Sequence, residues 1–319
     1  MTNQIPDFAP VDANKVPKFA GIGSFMRSRV VDMEEARGVD IGIVGVPFDL
    51  GTTFRPGSRF APVSIREASR IVRMSNGYTG VNPFKLAKIA DLGDVGVHPS
   101  QFDESYNTIA AAFRAIKDKA VRPLVLGGDH SISLPVLRGL AHDGAVGMIH
   151  FDAHSDTVDL VRGFKYTHSS PFRRAVEEGL LDPKRTVQIG LRSGPADCEW
   201  SRSVGMVVIT MDDFESMGRD KVIAEARRVV GEAPTYLSFD IDGLDSIYCP
   251  GTGVPEPGGF TMRDALVMLR GFEGVNFIGA DVCEVAPYLD HGNITSLHAA
   301  NLGFEILCLM AINVRDGKK

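Results

Sequence analysis

Eight short apolar runs, each flanked by Gly, Pro or Asp and separated by helix-patterned stretches, constrain this chain more than any other feature. They lie at 41–46, 86–91, 123–126, 146–151, 186–191, 206–210, 235–241 and 275–285. Continuous apolar character over so few residues is how strands buried on both faces read. Helical patterns fill most gaps, most clearly at 64–72, 106–117, 134–140, 171–178, 221–230, 262–269 and 295–311. This alternation predicts an α/β fold, a parallel sheet with helices on both faces, or alternatively an eight-stranded α/β barrel. Both architectures place ligands at the carboxyl ends of the strands. No linker, repeat or low-complexity stretch divides the 319 residues, so a single domain over 1–319 is expected, with 1–35 as an N-terminal extension packing on it.

Charge and cysteine usage narrow the function classes. A net charge of -6 without a Lys/Arg cluster leaves no electrostatic footprint for nucleic acid or an anionic membrane, and points to small substrates, cationic ones included. Cys198, Cys249, Cys283 and Cys308 form no C-x-x-C pair, so neither a zinc ribbon nor a disulfide framework is indicated. The N-terminus lacks a charged segment followed by an apolar stretch, and no apolar run reaches the length of a membrane span. A cytoplasmic protein with free thiols is the expectation.

The chemistry lies at three strand ends. Run 146–151 leads into Asp152-Ala153-His154-Ser155-Asp156, run 235–241 into Asp240-Ile241-Asp242, and run 123–126 into Gly127-Gly128-Asp129-His130. Alternate residues of an extended segment point the same way, so Asp152, His154 and Asp156 converge. Uncompensated, such a group would carry desolvation costs of several kcal/mol. Mixed carboxylate and imidazole donors suit Mn, Zn, Fe or Ni, whereas Ca and Mg sites are built from oxygen alone. Two bridging carboxylates could hold two cations, and a water between them would be acidified at neutral pH. Two glycine-rich segments carry no such signal. Gly42-Ile43-Val44-Gly45-Val46-Pro47 lacks the dinucleotide-binding spacing, and 251–259 is too rich in proline to cradle phosphate.

Taken in order, these motifs, with Gly51-Thr52-Thr53, Arg55-Pro56-Gly57-Ser58-Arg59-Phe60-Ala61-Pro62, Pro250-Gly251-Thr252-Gly253 and Glu284-Val285-Ala286-Pro287, resemble the ureohydrolase family of arginases and agmatinases. Thr79-Gly80, Asn82-Pro83-Phe84 and Ala90-Asp91-Leu92-Gly93-Asp94 are similar to its agmatinase and guanidinobutyrase branch. The resemblance implies a three-layer α/β/α fold around an eight-stranded, mainly parallel sheet and two Mn2+ per subunit, with Ni2+, Co2+ or Zn2+ as alternatives. Matched residue by residue, it places His130, Asp152, Asp156 and Asp240 on one ion and Asp152, His154, Asp240 and Asp242 on the other. It makes Glu284 the guanidinium-binding carboxylate and His168 the proton-transfer residue. A homohexamer or homotrimer is implied too.

The implied reaction is hydrolysis of a linear guanidino compound, of agmatine or 4-guanidinobutanoate type, to urea and an amine. Asp156 would orient the nucleophile and His168 would help protonate the departing amine. Ser170 and Pro171 mark a helix start just after His168, and a helix N-terminus disfavours an imidazolium. Three departures from the family pattern, at His168-Ser169-Ser170, Ser246 and Cys249, bear on substrate identity, as does segment 74–84, expected at the far end of the pocket. The alternatives are another guanidine (3-guanidinopropanoate, an alkylguanidine or a biguanide), a single-zinc amidohydrolase such as an acylpolyamine deacetylase, and a non-catalytic partner subunit.

Overall fold

The computed structural model describes residues 8–318. Nine strands form one sheet: β1 (Arg29–Val30), β2 (Ile41–Gly45), β3 (Ile89–Asp94), β4 (Arg122–Leu126), β5 (Val146–Phe151), β6 (Leu181–Leu191), β7 (Val207–Thr210), β8 (Thr235–Asp240) and β9 (Phe277–Cys283). Their spatial order is β1-β3-β2-β4-β9-β8-β5-β6-β7, and every pairing is parallel. The expected eight strands are all present. The ninth, β1, has two exposed residues at the sheet edge, too few and too polar to register as an apolar run. The open sheet excludes the barrel.

Helices α1 (Ala61–Ser69), α2 (Phe102–Asp118), α3 (Ser133–Leu140), α4 (Pro171–Glu177), α5 (Pro195–Val204), α6 (Met211–Met217), α7 (Arg219–Val230), α8 (Met262–Gly271) and α9 (Ile294–Arg315) complete the layers. Side chains alternate across the sheet as the pleat requires: Leu124 and Leu126 join the core under α1, α6, α7, α8 and α9, while Val125 joins the core under α2, α3 and α4. Helices α5 and α6 escape the periodicity reading. Both carry local signals nonetheless, Pro195 at the start and a left-handed Gly205 at the end of α5, and the reciprocal Thr210–Asp213 capping box of α6.

Helix α9 corrects a second expectation. Its 22 residues are long and apolar enough to cross a membrane, yet 78% of its apolar window is buried inside the protein. It packs along β9, α1 and α8 as a core helix. At the other end of the chain, the Phe25 amide donates to buried Asp91 at 2.8 Å and the Met26 amide to Ser69 Oγ at 2.7 Å, which fastens residues ahead of β1 to β3 and α1. Residues 1–7 of the expected extension lie outside the described residues.

Strands β4, β9, β8 and β5 are neighbours at the middle of the sheet. Their carboxyl ends therefore open into one crevice, and all three ligand-bearing segments emerge there.

Candidate metal centre

Close backbone packing sets the floor of the crevice. A Cβ on Gly128 would stand 1.7 Å from the Phe48 carbonyl oxygen, so only glycine lets the turn after β4 lie against the loop after β2. The Gly127 amide donates to Val282 O and the Glu284 amide to Gly128 O, both at 2.9 Å, which ties this turn to β9. His130 then opens a short 3-10 turn with its ring fully buried.

The ring of His130 faces three acids. Its Nδ1 lies 2.9 Å from Asp156 Oδ2, 3.1 Å from Asp240 Oδ2 and 3.2 Å from Asp152 Oδ2. On its far side Nε2 lies 2.8 Å from Ser238 Oγ, whose own hydrogen goes to buried Asp281 at 2.6 Å. Nε2 therefore carries a hydrogen, and Nδ1 faces three carboxylate oxygens without a well-formed hydrogen bond, an arrangement that, despite burial, draws positive charge to this point and raises the ring's pKa well above its ordinary value. A second group adjoins it: His154 Nδ1 is 3.4 Å from Asp152 Oδ1 and 3.2 Å from Asp242 Oδ2. The two oxygens of Asp152 thus face the two groups.

Burial and mutual repulsion act on these acids together. Burial raises Asp240, and Asp242 and Asp152 push it further; burial likewise raises Asp156, with Asp152 adding to it. Asp242 is pushed up to about 6, chiefly by burial, against the pull of His154. Asp152 alone goes the other way: its burial is outweighed by the three imidazoles around it, His130, His150 and His154. A buried imidazole nitrogen among so many acids calls for positive charge, which divalent cations would supply. The donor set fits two of them, with His130, Asp152, Asp156 and Asp240 around one point and Asp152, His154 and Asp242 around the next.

Beside this cluster a pocket is lined by Thr53, His154, Asp156, His168, Ser169, Val254 and Glu284, among others. Glu284 follows β9 with a left-handed φ of 65°, and Asp156 has φ 53°. Non-glycine residues hold that conformation where surrounding bonds impose it. Here the His130 amide donates to Glu284 Oε1 at 2.8 Å and the Phe172 amide to Asp156 O at 3.2 Å. Burial would raise the Glu284 carboxyl, but His168 and the His130 amide hold it below its ordinary value, so it stays ionised. Its Oε2 turns toward Gly253, where a Cβ would come within 3.4 Å of it.

Two expectations about the pocket are corrected. Burial lowers the His168 imidazolium, yet Glu284, with Asp156 and Asp129, more than offsets it and the pKa rises to about 9. The carboxylate at 2.9 Å outweighs the start of seven-residue α4, where Ser170 bonds its own loop instead of capping. Segment 74–84 is not at the pocket. It precedes β3, at the opposite end of the sheet, and its Asn76 bonds Glu305 on α9 at 2.7 Å. Among the three departures, Ser169 lines the pocket, whereas Cys249 is buried with its thiol on the carbonyls of Leu244 and Asp245.

Sequence reasoning missed the groups behind the ligands. His150 Nε2 bonds Asp152 Oδ2 at 2.8 Å and is itself met by Gln188 at 3.0 Å; Asp281 collects hydroxyls from Ser133, Tyr236 and Ser238. Their signal was present as polar residues inside apolar strands. Thr53, which bonds His168, was marked only as part of the Gly51-Thr52-Thr53 motif, with nothing to tie it to that ring.

The family model described as Arginase family matches residues 39–309. A guanidinopropionase from Pseudomonas aeruginosa is 45% identical over 315 residues, 98% of each chain, and a guanidinobutyrase from the same organism is 43% identical over 311 residues, 96% of this chain and 98% of that one. The proclavaminate amidino hydrolase structure from Streptomyces clavuligerus superposes with a TM-score of 0.89 at 37% identity, covering 93% of this chain and 99% of that one. With its fold, its convergent acids and histidines, and likeness along nearly its whole length, the chain belongs to the arginase family of ureohydrolases.

Proposed function

We propose that this protein hydrolyses a linear guanidino compound to urea and an amine, using two manganese ions held by His130, Asp152, His154, Asp156, Asp240 and Asp242. The observation that carries this reading is the buried His130 Nδ1 facing three carboxylates beside a pocket walled by an ionised glutamate. When bound, the ions supply Lewis acidity and an acidified water at neutral pH.

The chain's own residues do the rest. Glu284 Oε2 receives the planar guanidinium, and its Oε1 is fixed by His130 N and His168 Nδ1, so the substrate docks against an immobile carboxylate. Asp156 stands within the pocket wall to accept a hydrogen bond from the attacking water. His168, protonated at neutral pH, supplies the proton the departing amine needs.

The tail of the substrate extends into an adjoining cavity that shares Thr53 with the pocket. That cavity carries Arg162 and Lys165 against one acid, Asp103, a balance that favours a carboxylate tail over the ammonium of agmatine. 4-Guanidinobutanoate and 3-guanidinopropanoate are therefore the favoured substrates, in keeping with the names of the two Pseudomonas relatives. A urea-release assay across graded guanidino acids, agmatine, arginine and alkylguanidines tests this. A three- or four-carbon guanidino acid should lead and arginine should be poor. Silence on all of them would return weight to a non-catalytic subunit. Homotrimeric or homohexameric assembly is part of the proposal, supported by Phe19 and Ile22, more than 80% exposed on the segment ahead of β1.

A further inference from the structure

His168 has no ring nitrogen to spare. Nδ1 lies 2.9 Å from Glu284 Oε1, a carboxylate oxygen that can only accept, so this nitrogen carries a hydrogen. Nε2 lies 2.7 Å from Thr53 Oγ1 and 3.2 Å from the Thr53 backbone nitrogen, whose N–H it accepts when the ring is neutral. The imidazole is only 7% exposed, whereas Thr53 is exposed and lines the pocket. A proton leaving Nε2 for the pocket meets the Thr53 hydroxyl first.

The loop that carries Thr53 is built to stay there. Buried Asp129 accepts the Gly51 amide at 2.7 Å and the Thr52 hydroxyl at 3.3 Å, while the His168 amide donates to Gly51 O at 3.0 Å. A Cβ on Gly51 would come within 2.5 Å of Ser131 Oγ, so glycine is what allows this close approach.

We propose that Thr53 relays the proton between His168 and the leaving group, an inference that rests on the guanidino-hydrolase reading. As the bond between the guanidinium carbon and the departing nitrogen breaks, that nitrogen keeps the electron pair and takes the Thr53 Oγ hydrogen. Oγ takes the Nε2 hydrogen of the imidazolium in the same step. Thr53 is unchanged, His168 is left neutral with its hydrogen on Nδ1, and the Thr53 amide then donates to the bare Nε2. Solvent returns the second proton to the ring before the next turnover.

Thr53→Val keeps the shape and the backbone N–H but removes the hydroxyl; Thr53→Ser restores it. The valine variant should lose roughly 10²-fold in kcat with KM little changed, and the serine variant should recover most of that loss. Histidine 15N resonances of the metal-free protein, with His168 assigned from His168→Asn, give a readout independent of turnover: the His168 Nε2 signal should move in Thr53→Val and return in Thr53→Ser. Full kcat in Thr53→Val, a KM effect alone, or an unmoved Nε2 signal overturns the relay while leaving the hydrolase intact. Wild-type protein silent on every guanidine would sink the hydrolase reading and the relay with it.

Discussion

Glu284 and His168 hold each other's charge, and their variants should separate binding from chemistry. Glu284→Gln removes the charge facing the guanidinium but leaves the metal donors intact. Losing a charged hydrogen bond of about 1.5–3 kcal/mol raises KM by roughly 10- to 100-fold. Metal content should stay at the wild-type level, whereas Asp152→Ala and Asp240→Ala should lose metal and activity together. Elemental analysis beside kinetics checks both, and Glu284→Gln with unaltered kinetics would falsify the substrate orientation. The pH dependence follows from the raised pKa of His168. Its ordinary value is 6.5 and its folded value about 9, so the stabilisation it draws from Glu284 is complete below pH 6.5 and is lost as pH climbs through about 9. If the protonated ring serves the departing amine, kcat should fall over the same alkaline range. In His168→Asn that limb should vanish, leaving a low, flat profile.

At the scale of elements, the site depends on contacts between turns that belong to different strands. The turn after β4 touches the loop after β2 through Gly128 and the end of β9 through Glu284. Gly128→Ala forces the Cβ against a backbone carbonyl, which no side-chain rotation relieves. Destabilisation of at least about 3 kcal/mol is expected, and thermal unfolding would measure it. A variant with wild-type Tm would mean that the two loops can part without consequence. Helices α5 and α6 show how far an element can be present in local signals yet hidden from periodicity. Asp197 in α5 has a task here: its carboxylate takes both the amide and the hydroxyl of Ser155, at 2.7 and 2.8 Å, and so braces the loop that bears His154 and Asp156.

For the molecule as a whole, four neighbouring buried carboxylates make metal and stability one question. Cations that bind the folded chain and not the unfolded one stabilise it by about 2.7 kcal/mol per site at 100 times the Kd. Loading with manganese should therefore raise Tm by several degrees, chelation should reverse the rise, and elemental analysis should give about two ions per chain. One ion with full activity, or a Tm indifferent to metal, would sink the binuclear reading.

Much of this protein was legible in its sequence, for identifiable reasons. Strands buried on both faces are apolar throughout, so eight of nine appeared as runs; Asp152, His154 and Asp156 alternate on one segment, so their convergence was local information. The family motifs named the remaining donors. What the chain alone could not decide were the contacts between segments distant in sequence. The 2.9 Å approach of Glu284, 116 residues from His168, reverses the expected effect of the helix start on that ring. Segment 74–84, predicted at the pocket, lies at the far end of the sheet, because α1 carries the chain back before β3 begins. Thr53 stands in a family motif that does not say which ring its hydroxyl meets, and Cys249 looks like a pocket residue until its thiol is found on buried carbonyls. Local pattern specifies which residues are apolar, which are donors and where strands end. Which distant charge sits beside which ring depends on how parallel strands are ordered, and that order is set by the packing of the complete sheet.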